Sequence, residues 1–204
     1  MLRRAGWLLM TASAFLLALV AARYFFAGIP GAFPPQAEVY MEIRPWLLPH
    51  IGAGIVAILA GTWQFWTSFR ARHLKWHRRV GKTYLTAVVI GAAAALYLAP
   101  HSHGGLVTHI GFGLMAIAWA GTALTAFGRI RRKNVEAHRE WMVRSYAIAL
   151  GFVMLRVWIP VLNGLGFPFD EVYQTVSWLC WVPNLLIAEM YLGWRRQQRV
   201  LAAA

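Results

Sequence analysis

Cysteine and acidic residues are what this sequence has least of. Cys180 is the single cysteine among 204 residues, which excludes an intrachain disulfide, a cysteine-ligated iron–sulfur cluster and a thiolate zinc site. It lies inside an apolar run and reads as a small buried hydrophobe. Seven aspartates and glutamates stand against twenty lysines and arginines, and residues of either charge make up only 13% of a chain that is 59% hydrophobic. Ordinary soluble domains are about a quarter charged. A net charge of +13 suggests nucleic acid where cations cover a solvated face, but here they sit in short clusters between long apolar runs. That is how a membrane protein keeps its cytoplasmic charge. The expected surroundings are therefore a lipid bilayer, with no nucleic-acid partner.

Six apolar runs reach the roughly 20 residues that a helix needs to cross a ~30 Å hydrocarbon core. They are Trp7–Phe26, Leu47–Phe69, Gly81–Ala99, Leu106–Phe127, Trp141–Leu162 and Val172–Trp194. Their apolar character is continuous rather than alternating, which predicts helices and not barrel strands. The expected fold is an all-α polytopic membrane protein of six transmembrane helices. Residues 1–204 form a single transmembrane domain: first span and outer loop in 1–46, then 47–100, 101–162, and a last loop, span and basic tail in 163–204. Basic clusters precede the first span (Arg3, Arg4) and follow the second (Arg70 to Lys82), fourth (Arg129 to Arg139) and sixth (Arg195 to Arg199). This places both termini in the cytoplasm, with the protein in an inner (plasma) membrane. The first run also has features of a secretory signal peptide, but its apolar core exceeds the usual 7–15 residues, so a retained helix is expected.

Residues 47–162 hold a tandem repeat. HIGAGIVAILAGT from His50 is answered by HIGFGLMAIAWAGT from His109, and HRRVGKTY from His77 by HREWMVRSY from His138. A fixed internal period marks a repeated supersecondary unit, here two helices joined by a basic loop. The expected core is a four-helix bundle of spans two to five. On a 3.6-residue helix the face of His50 continues through Gly54, Ala57, Gly61 and Gln64, and that of His109 through Gly113, Ala116, Ala120 and Ala123. Such stripes serve close helix packing, or leave room for a flat cofactor.

Four histidines related by the repeat would fall at two depths, His50 with His109 and His77 with His138. Each pair would supply two imidazoles to a b-type haem, giving one or two haems. The plainer reading has His77 and His138 touching lipid headgroups among their neighbouring arginines. Arg156 falls at the level of His50 and His109, where haem propionates, Glu38, Glu42 or a lipid phosphate would balance it. Gln64, Arg144, Asn184 and Glu189 are further polar residues in apolar runs and so functional candidates, with Arg144 and Glu189 placed to pair. The outer-loop histidines His101 and His103 read as a solvated turn or a weak metal site.

The paired HR motifs, the closing LRVWIP from Leu155 and WLCWVPNLLIAE from Trp178 resemble the bacterial membrane family called domain of unknown function 2306, over Leu48 to Glu189. The resemblance implies a multi-pass bacterial membrane protein and carries no activity. The architecture is also similar to cytochrome b561-type proteins, whose histidines on helices two to five hold two b haems. Two functions are expected from these readings. One is transmembrane electron transfer through bis-histidine haem, with a quinone or redox protein as partner. The other is a cofactor-free transporter or partner subunit whose polar cavity is lined by Arg156, Gln64 and Glu189.

Overall fold

A computed structural model describes residues 2–27 and 37–203; the side chains of Arg3 and Arg4 lie outside the described part. Ten α-helices occur among the described residues: α1 (Leu2–Phe26), α2 (Ala37–Glu42), α3 (Arg44–Phe65), α4 (Thr67–Arg72), α5 (Leu74–Leu98), α6 (Leu106–Arg131), α7 (Val135–Ala149), α8 (Gly151–Gly164), α9 (Phe169–Leu179) and α10 (Val182–Ala203). Local chemistry sets several of these ends. Pro45 stands in the first turn of α3, where a missing N–H has no intrahelical acceptor to lose. Trp66, extended at φ −78° and ψ 96°, ends the helix. Its ring meets those of Trp7, Trp63 and Phe69 at centroid distances of 5.1, 5.6 and 5.7 Å. Such an aromatic belt marks the boundary of a membrane core. Asn134 caps α7 by accepting the Ala137 N–H at 2.9 Å.

Among the described residues, five stretches are long and apolar enough to cross a membrane: Ala5–Phe26, Arg44–Phe65, Leu74–His101, Leu106–Arg131 and Val135–Gly164. The six-span expectation is thereby corrected to five. The run Val172–Trp194 is not one helix but two, parted at Cys180–Trp181. Pro183 is the physical cause, because it has no N–H to give to Leu179 O, four residues earlier. The eleven residues of α9 are too few to span, and α10 runs into Glu189, Arg195, Arg196 and Arg199.

The 11-residue α9 and the 22-residue α10 lie antiparallel along α7–α8. Gln174 Nε2 donates to Gly104 O at 3.0 Å and Trp178 Nε1 to Val107 O at 3.2 Å. Farther along, Arg144 meets Glu189, and Glu140 is paired with Arg196. Val135–Gly164 also contains a break, at Leu150, and the two breaks face one another. A Cβ on Gly151 would stand 3.1 Å from Cys180 O and 2.7 Å from Met115 Cε.

The largest buried cluster is made by α3, α5, α6 and α7, through residues such as Ala57, Ile58, Tyr84, Val88, Trp119, Ala123, Tyr146 and Ile148, with Ala14 of α1 joining it. The expected core of spans two to five is met here by α3, α5, α6 and α7, the fifth span supplying buried residues to it only from its first half. Large rings fill the hollows that its small residues leave. Tyr146 lies over Gly61, donating its hydroxyl to Ile58 O at 3.0 Å, and a Cβ on Gly61 would come within 2.0 Å of its ring. Gly61→Ala must push out a buried tyrosine. A loss of about 1–3 kcal/mol is expected, as for other overpacked cores, and thermal unfolding in detergent will measure it.

Candidate functional site

The four histidines turn toward different groups. His50 Nδ1 donates to Gly91 O of α5 at 2.9 Å. His109 Nε2 donates to Ser102 O of its own preceding turn at 3.0 Å. His138 Nδ1 donates to Ala126 O of α6 at 2.9 Å, while the buried Nδ1 of His77 has no partner. The His50 stripe, which would have admitted a porphyrin, is packed with rings at Gly54 and Gly61, whereas a Cβ on Gly113 of the His109 stripe would meet only Ala99. Phe152 lies against Gly54, its Cε2 3.5 Å from a Cβ built there, and Trp119 against Gly91, 3.1 Å away. A groove of about 610 Å³ between α3 and α5 is lined by Gly52, Val56, Lys82, Thr86 and Ile90 among others, with no histidine.

Among the described residues no group of three or more His, Cys, Asp or Glu is placed to hold a metal ion. The expectation of one or two b haems on His50, His109, His77 and His138, with Arg156 on the propionates, is therefore corrected. The b561-like electron-transfer role falls with it. His103 is bound to Asp170 Oδ1 at 2.5 Å, and His101 donates to Tyr97 O at 2.9 Å, so the outer-loop pair is part of local structure. Cys180 is fully buried, and burial pushes its thiol up to about 12, too high for an attacking thiolate.

Arg156 is the group left over. It sits on α8, half-buried, with Nη1 donating to Phe152 O at 3.0 Å and its guanidinium 3.9 Å from the centre of the Phe152 ring. Tyr24 of α1, Tyr40 of α2, Tyr173 of α9 and Arg23 are its electrostatic neighbours, with no carboxylate among them, and His50 lies within reach of its field. Tyr40 and Tyr173 share a hydrogen bond, and Tyr24, Tyr40 and Phe152 pack on one cluster with Ala21, Leu47 and Ile51. Of the carboxylates weighed as partners, neither Glu38 nor Glu42 forms an ion pair with it among the described residues. The arrangement offers N–H and hydroxyl donors around a cation, which suits an oxyanion. Sequence reading reached Arg156 but missed its tyrosines, which come from three different helices with no shared spacing.

The other polar candidates sit apart from it. Gln64 lies fourteen residues beyond His50 on α3, about 21 Å along the axis at 1.5 Å per residue, so one cavity does not unite it with Arg156. Arg144 and Glu189 form the expected pair, with Nε–Oε1 at 2.5 Å and Nη2–Oε2 at 2.9 Å. Asn184 ties the two helix breaks together: its Nδ2 donates to Cys180 O at 2.9 Å and to Ala147 O at 3.3 Å.

Two outcomes follow. Asn184→Leu leaves both carbonyls short of a donor and should cost about 1–2 kcal/mol, the scale of interhelical hydrogen bonds in membranes, read by denaturant titration in micelles. The Arg144 guanidinium bonded to Glu189 holds that carboxyl below its usual range. A lowered folded-state pKa contributes stability above the unfolded value, about 4.3, that disappears as pH falls through the folded one. Glu189→Gln should flatten the unfolding midpoint between pH 5 and 3, roughly the window so defined; an unchanged acid slope would assign it to other groups.

Comparison with known proteins agrees with the membrane architecture. No curated protein and no solved structure matches the chain. One family, described as predicted membrane protein (DUF2306), matches residues 47–192, which cover the four-helix core and the α9–α10 pair packed along α7–α8. The chain belongs to the DUF2306 membrane-protein family.

Proposed function

We propose that this is a cofactor-free, multi-pass membrane protein of the transport class that takes an oxyanion, a carboxylate or phosphate carried by a solute or lipid, at Arg156. One observation carries the reading: a half-buried arginine whose surroundings are tyrosines, a second arginine and a histidine, with no acid. A cation in or near hydrocarbon costs several kcal/mol until paired, and the chain's own seven carboxylates leave this one unpaired. The facing helix breaks at Leu150 and Cys180 support the same class, since transporters commonly build substrate sites on interrupted helices.

The basic loops between α3 and α5 and between α6 and α7, with the basic residues of α10, gather at one end of the bundle, where Trp7 Nε1 also donates to Thr62 O at 3.0 Å. By charge this is the cytoplasmic end in a bacterial inner membrane, and Arg156 then opens toward the other side.

The test is oxyanion-dependent thermal stability of the purified protein. Acetate, inorganic phosphate and a short-chain phosphatidate, compared at equal ionic strength with chloride, should raise the wild-type midpoint in at least one arm. The arm that responds names the carrier. Arg156→Gln should abolish that response while raising the ligand-free midpoint, because it removes an uncompensated charge. An Arg156→Gln response equal to wild type, or no wild-type response in any arm, would end the proposal.

A further inference from the structure

At the opposite end of α3 a second set of polar groups is left without partners. Gln64, in the last turn, is 8% exposed, and its Nε2 finds no acceptor; across the seam, in the first turn of α5, the Nδ1 of His77 is buried and equally unbonded. A buried polar group without a hydrogen bond costs about 1–3 kcal/mol, so two on adjoining helices call for an explanation beyond packing. Gly81 lies one turn after His77 on the same face and keeps the amide close: a Cβ there would stand 3.3 Å from Gln64 Oε1.

The charges around this pair have one sign. Arg70, Arg78 and His138 lie within electrostatic reach of the His77 ring, and Arg139 lies near Arg70. The carboxylates of this end are already taken: Glu136 by Arg199, Glu140 by Arg196 and Arg199, Glu189 by Arg144. The start of α5 adds the positive end of a 25-residue helix. His73, one turn before His77, meets Phe69 of the Trp63–Trp66–Phe69 belt at a centroid distance of 5.2 Å, and its carbonyl accepts the His77 N–H, which puts this end at the depth of headgroup phosphates.

We propose that Gln64 and His77 form a phosphate-binding site at the basic end of the bundle, with Arg70 and His138 at its rim. Gln64 Nε2 donates from the α3 side and the His77 ring from the α5 side, and the phosphate is either that of an anionic phospholipid or free in solution. The site is independent of Arg156, which lies at the other end of the same helix bundle.

The experiment uses the full chain carrying Arg156→Gln, so that the first site is silent. Its thermal midpoint is measured against inorganic phosphate in detergent, and in nanodiscs of phosphatidylglycerol against phosphatidylcholine. A rise with phosphate identifies the free anion, and a rise confined to phosphatidylglycerol identifies the lipid. Adding Gln64→Leu should weaken the apparent affinity by roughly tenfold or more, the loss expected for a hydrogen bond to a charged group. His77→Phe should do the same, and reads the site should Gln64→Leu fail to accumulate. No response in any arm would overturn the proposal. So would a response that both substitutions leave unchanged, above all if Gln64→Leu raises the ligand-free midpoint, which would mark the amide as a packing defect.

Discussion

A polar group inside hydrocarbon has no water to turn to, and much of the interior of this bundle answers that constraint. The carbonyls of Gly91, Ala126, Ala147, Ile58 and Cys180 receive side-chain donors from His50, His138, Asn184 and Tyr146. Where Pro183 and Leu150 interrupt helices, freed backbone would be intolerable against lipid; instead the breaks are turned toward each other and shared by one asparagine. The histidines and the broken helices are therefore aspects of a single need, the satisfaction of backbone groups without solvent.

Packing answers the same need from the apolar side. Glycine and alanine stripes bring the helices together, and the rings of Phe152, Tyr146 and Trp119 enter the hollows those residues leave. On the His50 stripe the first two of these rings stand where a porphyrin was expected. What stays uncompensated then stands out: a guanidinium at one end of α3, and an amide with an imidazole at the other. These are the two places at which we propose that an oxyanion is brought to the folded chain.

Much of the architecture was legible in the sequence. Run length and continuity located five of the six expected spans, because crossing a bilayer demands little beyond length and apolarity, but they missed the basic first turns of the third and fifth, which begin at Leu74 and Val135. The repeat pointed to the helices whose buried residues meet in the core, though only the first half of the fifth span supplies them, and the matched depth of Arg144 and Glu189 near the cytoplasmic boundary pointed to their pairing. The sixth run misled because composition does not register a missing N–H; Pro183 sits among apolar residues and leaves the hydropathy unaltered. The histidine pairs misled for a related reason. Periodicity places a ring on a face and at a depth, but does not decide whether it meets another ring or a neighbouring carbonyl. The tyrosines about Arg156 come from α1, α2 and α9, and only the tertiary fold brings them together.

Arg156, we propose, takes its counter-charge from outside the chain. The most direct measurement is an experimental density map of the wild-type protein extracted from its native membrane in lipid nanodiscs, at a resolution that shows side chains. The account predicts density shaped like a carboxylate or phosphate within hydrogen-bonding distance of the Arg156 guanidinium, bordered by Tyr24, Tyr40 and Tyr173. A Glu38 or Glu42 carboxylate occupying that position, or a guanidinium surrounded only by water, would contradict it.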